Sequence, residues 1–369
     1  MSDIVPVKMP KWGLSMQEGT LVSWWKSEGD TVAQGEDLVD IETAKITNVC
    51  EAPSAGTLRR VIAAPGDTLP VGALLGVVAD PSVGDADIDA FVTDFQSRFV
   101  PGEDEEAAAL VQSTVEVGGR TIRIGRAGAG EGDTVVLVHG FSGDMMNWMF
   151  NIEPLSARGP VVAIDLPGHG GSSKDVGDGS LASLAAAVAG AAAEAGVTSA
   201  HWIGHSLGAA VAARVAIDRP GLVKSLVMIA PAYMPGGELS ETFLTGVVEG
   251  NRAKDLKPML EMLVADPASV SKDMVDDMVK SKRLDGVEEA LAAIRDRMVE
   301  GRDGAALQAG LSSIPKALVI ASKADQIVGA PDPAALPAGF RVVFIDGAGH
   351  MPHLEKSGEV NALIAKHLG

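Results

Sequence analysis

Ser206 sits in Gly204-His205-Ser206-Leu207-Gly208, after an apolar run and before an alanine-rich stretch with helical character. That context suits a sharp strand-to-helix turn that presents a nucleophilic hydroxyl, with glycine where a side chain would collide. A serine nucleophile needs a base, and the base needs an acid to orient it. Asp325 lies just beyond the strand-like run Ala317 to Ala321, and His350 ends Gly347-Ala348-Gly349-His350 after the next such run, so the chain order is Ser, Asp, His. The chemistry is acyl transfer: Ser206 attacks, His350 accepts and returns the proton, and Asp325 holds the imidazole tautomer and stabilises its charged form. The backbone N–H of Leu207, in the elbow, and that of Phe141, in His139-Gly140-Phe141, are the candidate oxyanion donors, each worth about 3 to 4 kcal/mol in such chemistry.

A second chemical position lies far upstream. Asp40-Ile41-Glu42-Thr43-Ala44-Lys45-Ile46-Thr47 has a polar centre flanked by strand-like residues, which predicts a hairpin displaying Lys45 at its tip. The hairpin separates two halves of a repeat. At an offset of 37, Gly19-Thr20-Leu21 falls on Gly56-Thr57-Leu58, Gly29-Asp30-Thr31 on Gly66-Asp67-Thr68, Gly35 on Gly72 and Leu38 on Leu75. Gly-Asp turns between Val, Leu, Ile and Trp runs predict two similar sets of short strands packed as a small sandwich or barrel over residues 1–80. A lysine at the centre of such a repeat is placed as a tether.

The elements that must position the serine follow a different pattern. Residues 81–114 form a punctuated linker in which residues 85–106 hold eight acids against the single base Arg98. Ile88, Phe91, Val92, Phe95 and Phe99 recur there at helical spacing, which predicts one short amphipathic helix docked on a neighbouring domain. From residue 115 to 369, strands alternate with helices such as Leu181 to Ala195 and Leu207 to Asp218, the order of a mostly parallel, doubly wound sheet. The expected strands are Thr121 to Ile124, Thr134 to His139, Val161 to Asp165, His201 to Gly204, Leu226 to Ala230, Ala317 to Ala321 and Arg341 to Ile345. Residues 231–313 break the alternation with a helical insertion just after a strand end, where open α/β sheets bind ligands, so a cap over the site is expected. Met234, Met259, Met262, Met274, Met278 and Met298 lie in that cap, and ordinary helix packing accounts for most of them.

Composition excludes several classes. A net charge of -19 and a pI near 4.7 oppose binding to nucleic acid or an anionic membrane, which would both be repelled. The start has no secretory signature and no later run is apolar enough to span a bilayer, so a cytoplasmic protein is expected. Cys50 has no partner for an internal disulfide and reads as a small apolar strand residue. The remaining histidines show no ligand spacing, and no metal site is expected. His139 is read as ordering the oxyanion turn.

Residues 1–80 resemble lipoyl domains of 2-oxo-acid dehydrogenase complexes, with Asp40 to Lys45 similar to their attachment turn; the Met-Lys-Met turn of biotin carriers is absent. With Val7-Lys8-Met9-Pro10-Lys11-Trp12-Gly13, the linker and the second half in this order, nearly the whole chain resembles the dihydrolipoyl acetyltransferase subunits of acetoin dehydrogenase complexes. The resemblance implies a multidomain chain: an all-β lipoyl/biotinyl-type barrel-sandwich, then an α/β-hydrolase fold with a helical cap. It implies (R)-lipoate on Lys45, added by a lipoate ligase or transferase, and loaded with acetyl by a thiamine-diphosphate-dependent acetoin dehydrogenase component. Coenzyme A would be the acceptor, and a dihydrolipoamide dehydrogenase would reoxidise the arm. The His-x-x-x-Asp-Gly motif of the usual acyltransferase domain and a recognisable subunit-binding domain are both absent, so the cubic core assembly is not assumed, and the oligomeric state is left open with a homo-oligomer among the candidates. No phosphate-cradling glycine loop is present; Lys254, Lys257, Lys280, Lys282 and Arg283 are candidate coenzyme A phosphate contacts, set against a plain solvated helix face. Transfer through an acyl-serine is the leading reading. A thioesterase, esterase or carbon-carbon bond hydrolase with an attached carrier is the second, and a carrier and scaffold with an idle hydrolase-like half is the third.

Overall fold

The computed structural model describes residues 4–10, 17–43, 47–101 and 110–369. Lys45, the Lys11-Trp12-Gly13 part of the N-terminal motif and linker residues 102–109 lie outside the described residues. The chain divides into two compact units, formed chiefly by the residues before and after Leu110.

The first unit is built of β1 (Ile4–Lys8), β2 (Glu18–Trp24), β3 (Thr31–Val32), β4 (Asp37–Glu42), β5 (Thr47–Glu51), β6 (Gly56–Val61), β7 (Thr68–Pro70) and β8 (Leu74–Ala79). They form two antiparallel sheets, ordered β1-β8-β6-β3 and β5-β4-β2-β7. The sequence repeat has a physical counterpart. Gly29 N–H donates to Leu58 O and Gly66 N–H to Leu21 O, while Leu58 N–H donates to Asp30 O and Leu21 N–H to Asp67 O. Each half's Gly-Asp turn thus closes on the other half's strand, so neither half has a complete set of backbone partners alone. Gly29 and Gly66 take φ of +96° and +93°, where a side chain would be strained. The repeat-related leucines Leu21, Leu38, Leu58 and Leu75 are all fully buried. β4 pairs β5 antiparallel with Glu42 opposite Thr47, so their connection is residues 43–46, which in sequence include Lys45.

The helix expected around Ile88 runs from Asp85 to Arg98 (α1) and belongs to this first unit. Its Ile88 is fully buried, and Phe91, Val92 and Phe95 pack with Ile4, Leu74 and Val77. Its acids face a basic pair: Arg59 donates to Asp85 at 2.8 Å and Arg60 to Asp89 at 3.0 Å.

The second unit carries β9 (Val111–Val117), β10 (Arg120–Ala127), β11 (Val135–Val138), β12 (Val161–Ile164), β13 (Ala200–His205), β14 (Val223–Ile229), β15 (Ala317–Ala321) and β16 (Phe340–Phe344), in the order β16-β15-β14-β13-β11-β12-β10-β9. β11 through β16 run parallel, and β10 joins β12 antiparallel. Alternate residues of the central strands feed two cores, one on each face of the sheet. α2 (Leu181–Glu194) and α3 (Leu207–Asp218) cover one face. Between β14 and β15 lie the helices α4 (Glu241–Glu249), α5 (Ala253–Glu261), α6 (Lys272–Lys282), α7 (Val287–Glu300) and α8 (Arg302–Gly310), and α9 (Ser357–Leu368) ends the chain on the opposite face of the sheet. β9 is a difference from the expected boundary at residue 115. It is an edge strand paired only with β10, its Val111 is 66% exposed, and its Gln-Ser-Thr-Val-Glu sequence presents no apolar run.

Candidate active site

The parallel strands end on one edge of the sheet, and each contributes a loop to it. Ser206 follows β13 and takes φ 55° and ψ -119°, a left-handed value that a non-glycine residue adopts only where its surroundings enforce it. The enforcement is visible. Ser206 N–H donates to Ile229 O on β14 at 2.9 Å, and Ser206 O accepts from Ala232 N–H at 3.2 Å and from Ala209 N–H at 3.1 Å at the start of α3. A Cβ on Gly204 would lie 2.3 Å from Gly208 O, and one on Gly208 would lie 2.2 Å from His139 O, so both glycines of the elbow are sterically required. Leu207 is the first residue of α3.

Asp325 follows β15 and His350 follows β16; both are buried, at 8% and 2% exposure. His350 Nδ1 lies 2.8 Å from Asp325 Oδ2. Because the carboxylate oxygen accepts, Nδ1 carries the proton and Nε2 is free to act as a base. Asp325 is itself held, its Oδ1 accepting from Ile327 N–H at 2.8 Å and Val328 N–H at 3.1 Å. Ser206 and His350 line one cavity of about 570 Å³.

Phe141 lines the same cavity. A Cβ on Gly140 would come within 3.0 Å of Ser206 Cβ, so the His139-Gly140-Phe141 turn approaches the serine as closely as a glycine permits. His139 ties the turn down: Nδ1 donates to Gly140 O at 2.8 Å and Nε2 accepts from Leu166 N–H at 3.0 Å. Burial holds His139 below the usual histidine range, consistent with that neutral tautomer.

Several positioning groups escaped the sequence reading. Glu355 accepts from Gly349 N–H at 2.9 Å and Met351 N–H at 3.2 Å, on either side of His350, and from Ala265 N–H of the cap at 2.7 Å. Burial lifts its carboxyl above the usual range. His350 N–H also donates to Leu263 O at 2.8 Å, so the cap and the histidine loop share backbone bonds. His205 donates from Nε2 to His350 O at 2.9 Å. Burial, and after it the neighbouring imidazoles of His353 and His350, push His205 well below its ordinary range. Asp165, fully buried after β12, accepts from Met145 N–H, Gly171 N–H and the Arg123 guanidinium, joining the loops beneath the oxyanion turn.

The cap lines the cavity with Leu263, Val264, Met274, Met278 and Met298, an apolar and deformable surface. Of the cap cations, the exposed Lys257 pairs with Glu261 and the exposed Lys280 with Asp277, which itself lines the cavity. Lys282 departs from a solvated face: it is 6% exposed, lines the cavity and donates from Nζ to Val248 O at 2.5 Å. Burial lowers its pKa.

Comparison with known proteins gives this geometry a context. Residues 135–363 match the alpha/beta hydrolase family, and residues 5–78 match the family described as biotin-requiring enzymes. Among solved structures, a 2-hydroxy-6-oxo-6-phenylhexa-2,4-dienoate hydrolase from Rhodococcus sp. strain RHA1 superposes with a TM-score of 0.63 at 20% identity, over 70% of this chain and 98% of that one, a likeness of fold. The architecture is therefore a lipoyl/biotinyl-type β-sandwich followed by an α/β-hydrolase fold. The dihydrolipoyllysine-residue acetyltransferase component of the acetoin cleaving system of Cupriavidus necator is 43% identical over 99% of this chain and 98% of its own length. The component of the same name from Pseudomonas putida is 41% identical over 100% of both. With such identity from end to end, the chain belongs to the family of dihydrolipoyllysine-residue acetyltransferase components of acetoin cleaving systems.

Proposed function

We propose that this chain transfers an acetyl group from a lipoyl thioester to coenzyme A through an acyl-serine at Ser206. The observation that carries the reading is the buried His350–Asp325 pair at 2.8 Å, whose histidine lines the same apolar-walled cavity as a serine on a strained elbow. Lipoate bound to Lys45 supplies a long arm whose thiol pair holds the acetyl group as a thioester. The β4–β5 register fits such attachment, since it confines the connection around Lys45 to residues 43–46.

In the first half-reaction Ser206 Oγ bonds to the acetyl carbon as its proton passes to His350 Nε2. The carbon–sulfur bond breaks, and His350 returns the proton to the departing sulfur. The N–H groups of Phe141 and Leu207 hold the oxyanion between these events. In the second half His350 takes the proton of the coenzyme A thiol, the new carbon–sulfur bond forms, and Ser206 leaves with that proton. Thioester is exchanged for thioester, so the chain contributes rate rather than driving force. Water competes for the same acyl-serine, and Leu263, Val264 and the methionine side chains of the cap restrict its access. The cavity volume of about 570 Å³ suits a narrow arm entering from outside.

As a component of an acetoin cleaving system, the chain works with partner enzymes. We assign these as a thiamine-diphosphate-dependent acetoin dehydrogenase component that loads the arm, a dihydrolipoamide dehydrogenase that reoxidises it, and a lipoate ligase or transferase that modifies Lys45. We place it in the cytoplasm; among the described residues no helix is long and apolar enough to cross a membrane.

The test follows acetyl-coenzyme A and free acetate when lipoylated protein meets acetyl-dihydrolipoamide, with and without coenzyme A. Acetyl-coenzyme A from the unmodified chain and its loss in Ser206→Ala support the reading. Acetate released regardless of coenzyme A makes the site a hydrolase. Undiminished transfer by Ser206→Ala makes the second unit a scaffold.

A further inference from the structure

The short 3-10 turn Met145–Trp148 follows the oxyanion turn and carries Asn147, which has no part in the mechanism above. Asn147 is half-buried and lines the cavity that holds Ser206 and His350. Its Oδ1 accepts from Asp144 N–H at 2.9 Å. A backbone N–H only donates, so the orientation of the amide is fixed and Nδ2 turns its two donors away from that bond. Nδ2 has no hydrogen-bond partner among the described residues, and it keeps accessible surface. The side chain is also tied to the surroundings of the serine. A Cβ on Gly143 would lie 2.1 Å from Asn147 Oδ1, and one on Gly140 would lie 3.0 Å from Ser206 Cβ. Between the two glycines, Gly143 N–H donates to Gly140 O at 3.2 Å with Ser142 at φ 61°. One tight turn therefore joins the Asn147 amide to the oxyanion side of Ser206.

The chemistry around this donor pair suits a neutral oxygen. The carboxylates of Asp144 and Asp277 line the same cavity, and its two cations are committed, Arg123 to Asp165 and Lys282 to Val248 O. Both acyl carriers bring a neutral oxygen, in a secondary amide carbonyl. On a dihydrolipoyl arm the amide carbonyl carbon lies eight bonds from the terminal sulfur. On coenzyme A the second amide carbonyl carbon also lies eight bonds from the sulfur, while the first lies only four bonds away and has no counterpart on the lipoyl arm. An extended chain gains about 1.2 Å per bond, so eight bonds reach roughly 10 Å. A cavity of about 570 Å³ is roughly 10 Å across if round, so a carbonyl at that separation meets the wall while its sulfur stands at Ser206.

Building on the acyl-serine reading, we propose that Asn147 Nδ2 donates to the amide carbonyl eight bonds from the acyl sulfur, first on the lipoyl arm and then on coenzyme A. The two carriers enter one cavity in turn and must bring their sulfur to the same serine. A single donor fixed at one arm's length from that serine sets the depth of both. Asn147 is then a specificity residue shared by the two half-reactions and separate from proton transfer.

The test uses lipoylated full-length protein and two pairs of substrates. The acyl donors are acetyl-dihydrolipoamide and an acetylated dithiol of the same chain that ends without the carbonyl. The acceptors are pantetheine, which carries both amides, and N-acetylcysteamine, which stops at the first. The unmodified chain is expected to prefer the longer-range carbonyl in each pair by roughly tenfold in kcat/KM. Asn147→Asp keeps the oxygen that accepts from Asp144 N–H and removes the donors, and it brings both ratios near one. Asn147→Ala, which has neither group, does the same. Each ratio is taken within one protein and with uncharged substrates, so a general loss from altered packing or added charge cancels. Ratios that stay at their original values in both variants overturn the proposal and leave Asn147 as a brace for the turn. A change confined to the donor pair or to the acceptor pair also overturns it, because the contact is then not shared. Transfer that survives Ser206→Ala overturns the acyl-serine reading instead, and the two failures are told apart by which variant reveals them.

Discussion

The two units organise chemistry in opposite ways. The β-sandwich carries Lys45, the proposed attachment residue, in the sequence between β4 and β5, and its fold is a repeat whose halves complete each other's backbone bonding. The α/β unit gathers Ser206, Asp325 and His350 from the ends of β13, β15 and β16, and the Phe141 turn from the end of β11. A carrier must put its group outside, so a hairpin tip suffices. A site for acyl transfer must hold several groups in mutual register and keep water away, so it draws on distant parts of the chain and buries them. The same contrast appears in the histidines: all seven lie at or after His139.

The sharpest way to separate the units is to remove each reactive group in turn. Ser206→Ala is expected to lower acetyl transfer from free acetyl-dihydrolipoamide by about a thousandfold or more. Lys45→Arg should leave that reaction close to the unmodified rate while abolishing turnover that depends on loading by the partner dehydrogenase. Steady-state assays with the free and the protein-bound donor distinguish the two, and equal loss in both assays for Lys45→Arg would break the division of labour.

Acid should also tell the units apart. His169 and His353 are held down to about 3, and His139 and His205 are lowered as well, in each case first by burial. The unfolded chain takes up protons at these positions below about pH 6.5, whereas the folded chain refuses them. The stability they confer is therefore complete above that pH and is lost as pH falls toward about 3, by on the order of 1.4 kcal/mol per pH unit for each histidine. Glu355, raised by burial, contributes with the opposite sign, in the carboxylate range. Hydrogen exchange resolved by peptide should show protection falling between pH 6.5 and 5 across β11–β16 while β1–β8 keep theirs. A uniform loss across both units would contradict this account.

A substitution in the other unit reverses the pattern. Ile88 of α1 is fully buried among Leu74, Val77 and Phe91, and Ile88→Ala should cost the sandwich about 2 to 5 kcal/mol. Protection should fall in peptides from β1, β8 and α1, with kcat on free acetyl-dihydrolipoamide unchanged.

Legibility followed the range of the interactions. The elbow around Ser206 and the repeat around Lys45 are local patterns, because turn geometry restricts nearby residues to glycine or aspartate, and such restrictions can be read from neighbours. β9 was missed since an exposed edge strand needs no apolar signature. Lys282 read as part of a charged helix face, yet it is buried at the cavity wall; helical spacing alone does not say which face a neighbouring helix covers. Glu355 and Asp165 were invisible for another reason. All three donors to the Glu355 carboxylate and two of those to the Asp165 carboxylate are backbone N–H groups, which have no side-chain identity to recognise; Arg123 is 42 residues from Asp165, and Ala265 is 90 residues away from Glu355.

Glu355 therefore offers the finest test of how the distributed site is held. Its two carboxylate oxygens accept three backbone N–H groups, two flanking His350 and one in the cap. Glu355→Gln keeps one acceptor oxygen and turns the other into a donor that faces a backbone donor. Either the His350 loop or the cap must then yield. The expected result is a fall of roughly tenfold in kcat, in line with the loss of one charge-assisted bond, with KM for acetyl-dihydrolipoamide nearly unchanged. A matching rise in KM would mean that Glu355 shapes the cavity rather than the histidine. An unchanged kcat would show that His350 keeps its place through Asp325, His205 and the Leu263 carbonyl alone, and that the cap can detach from the histidine loop without consequence for the chemistry.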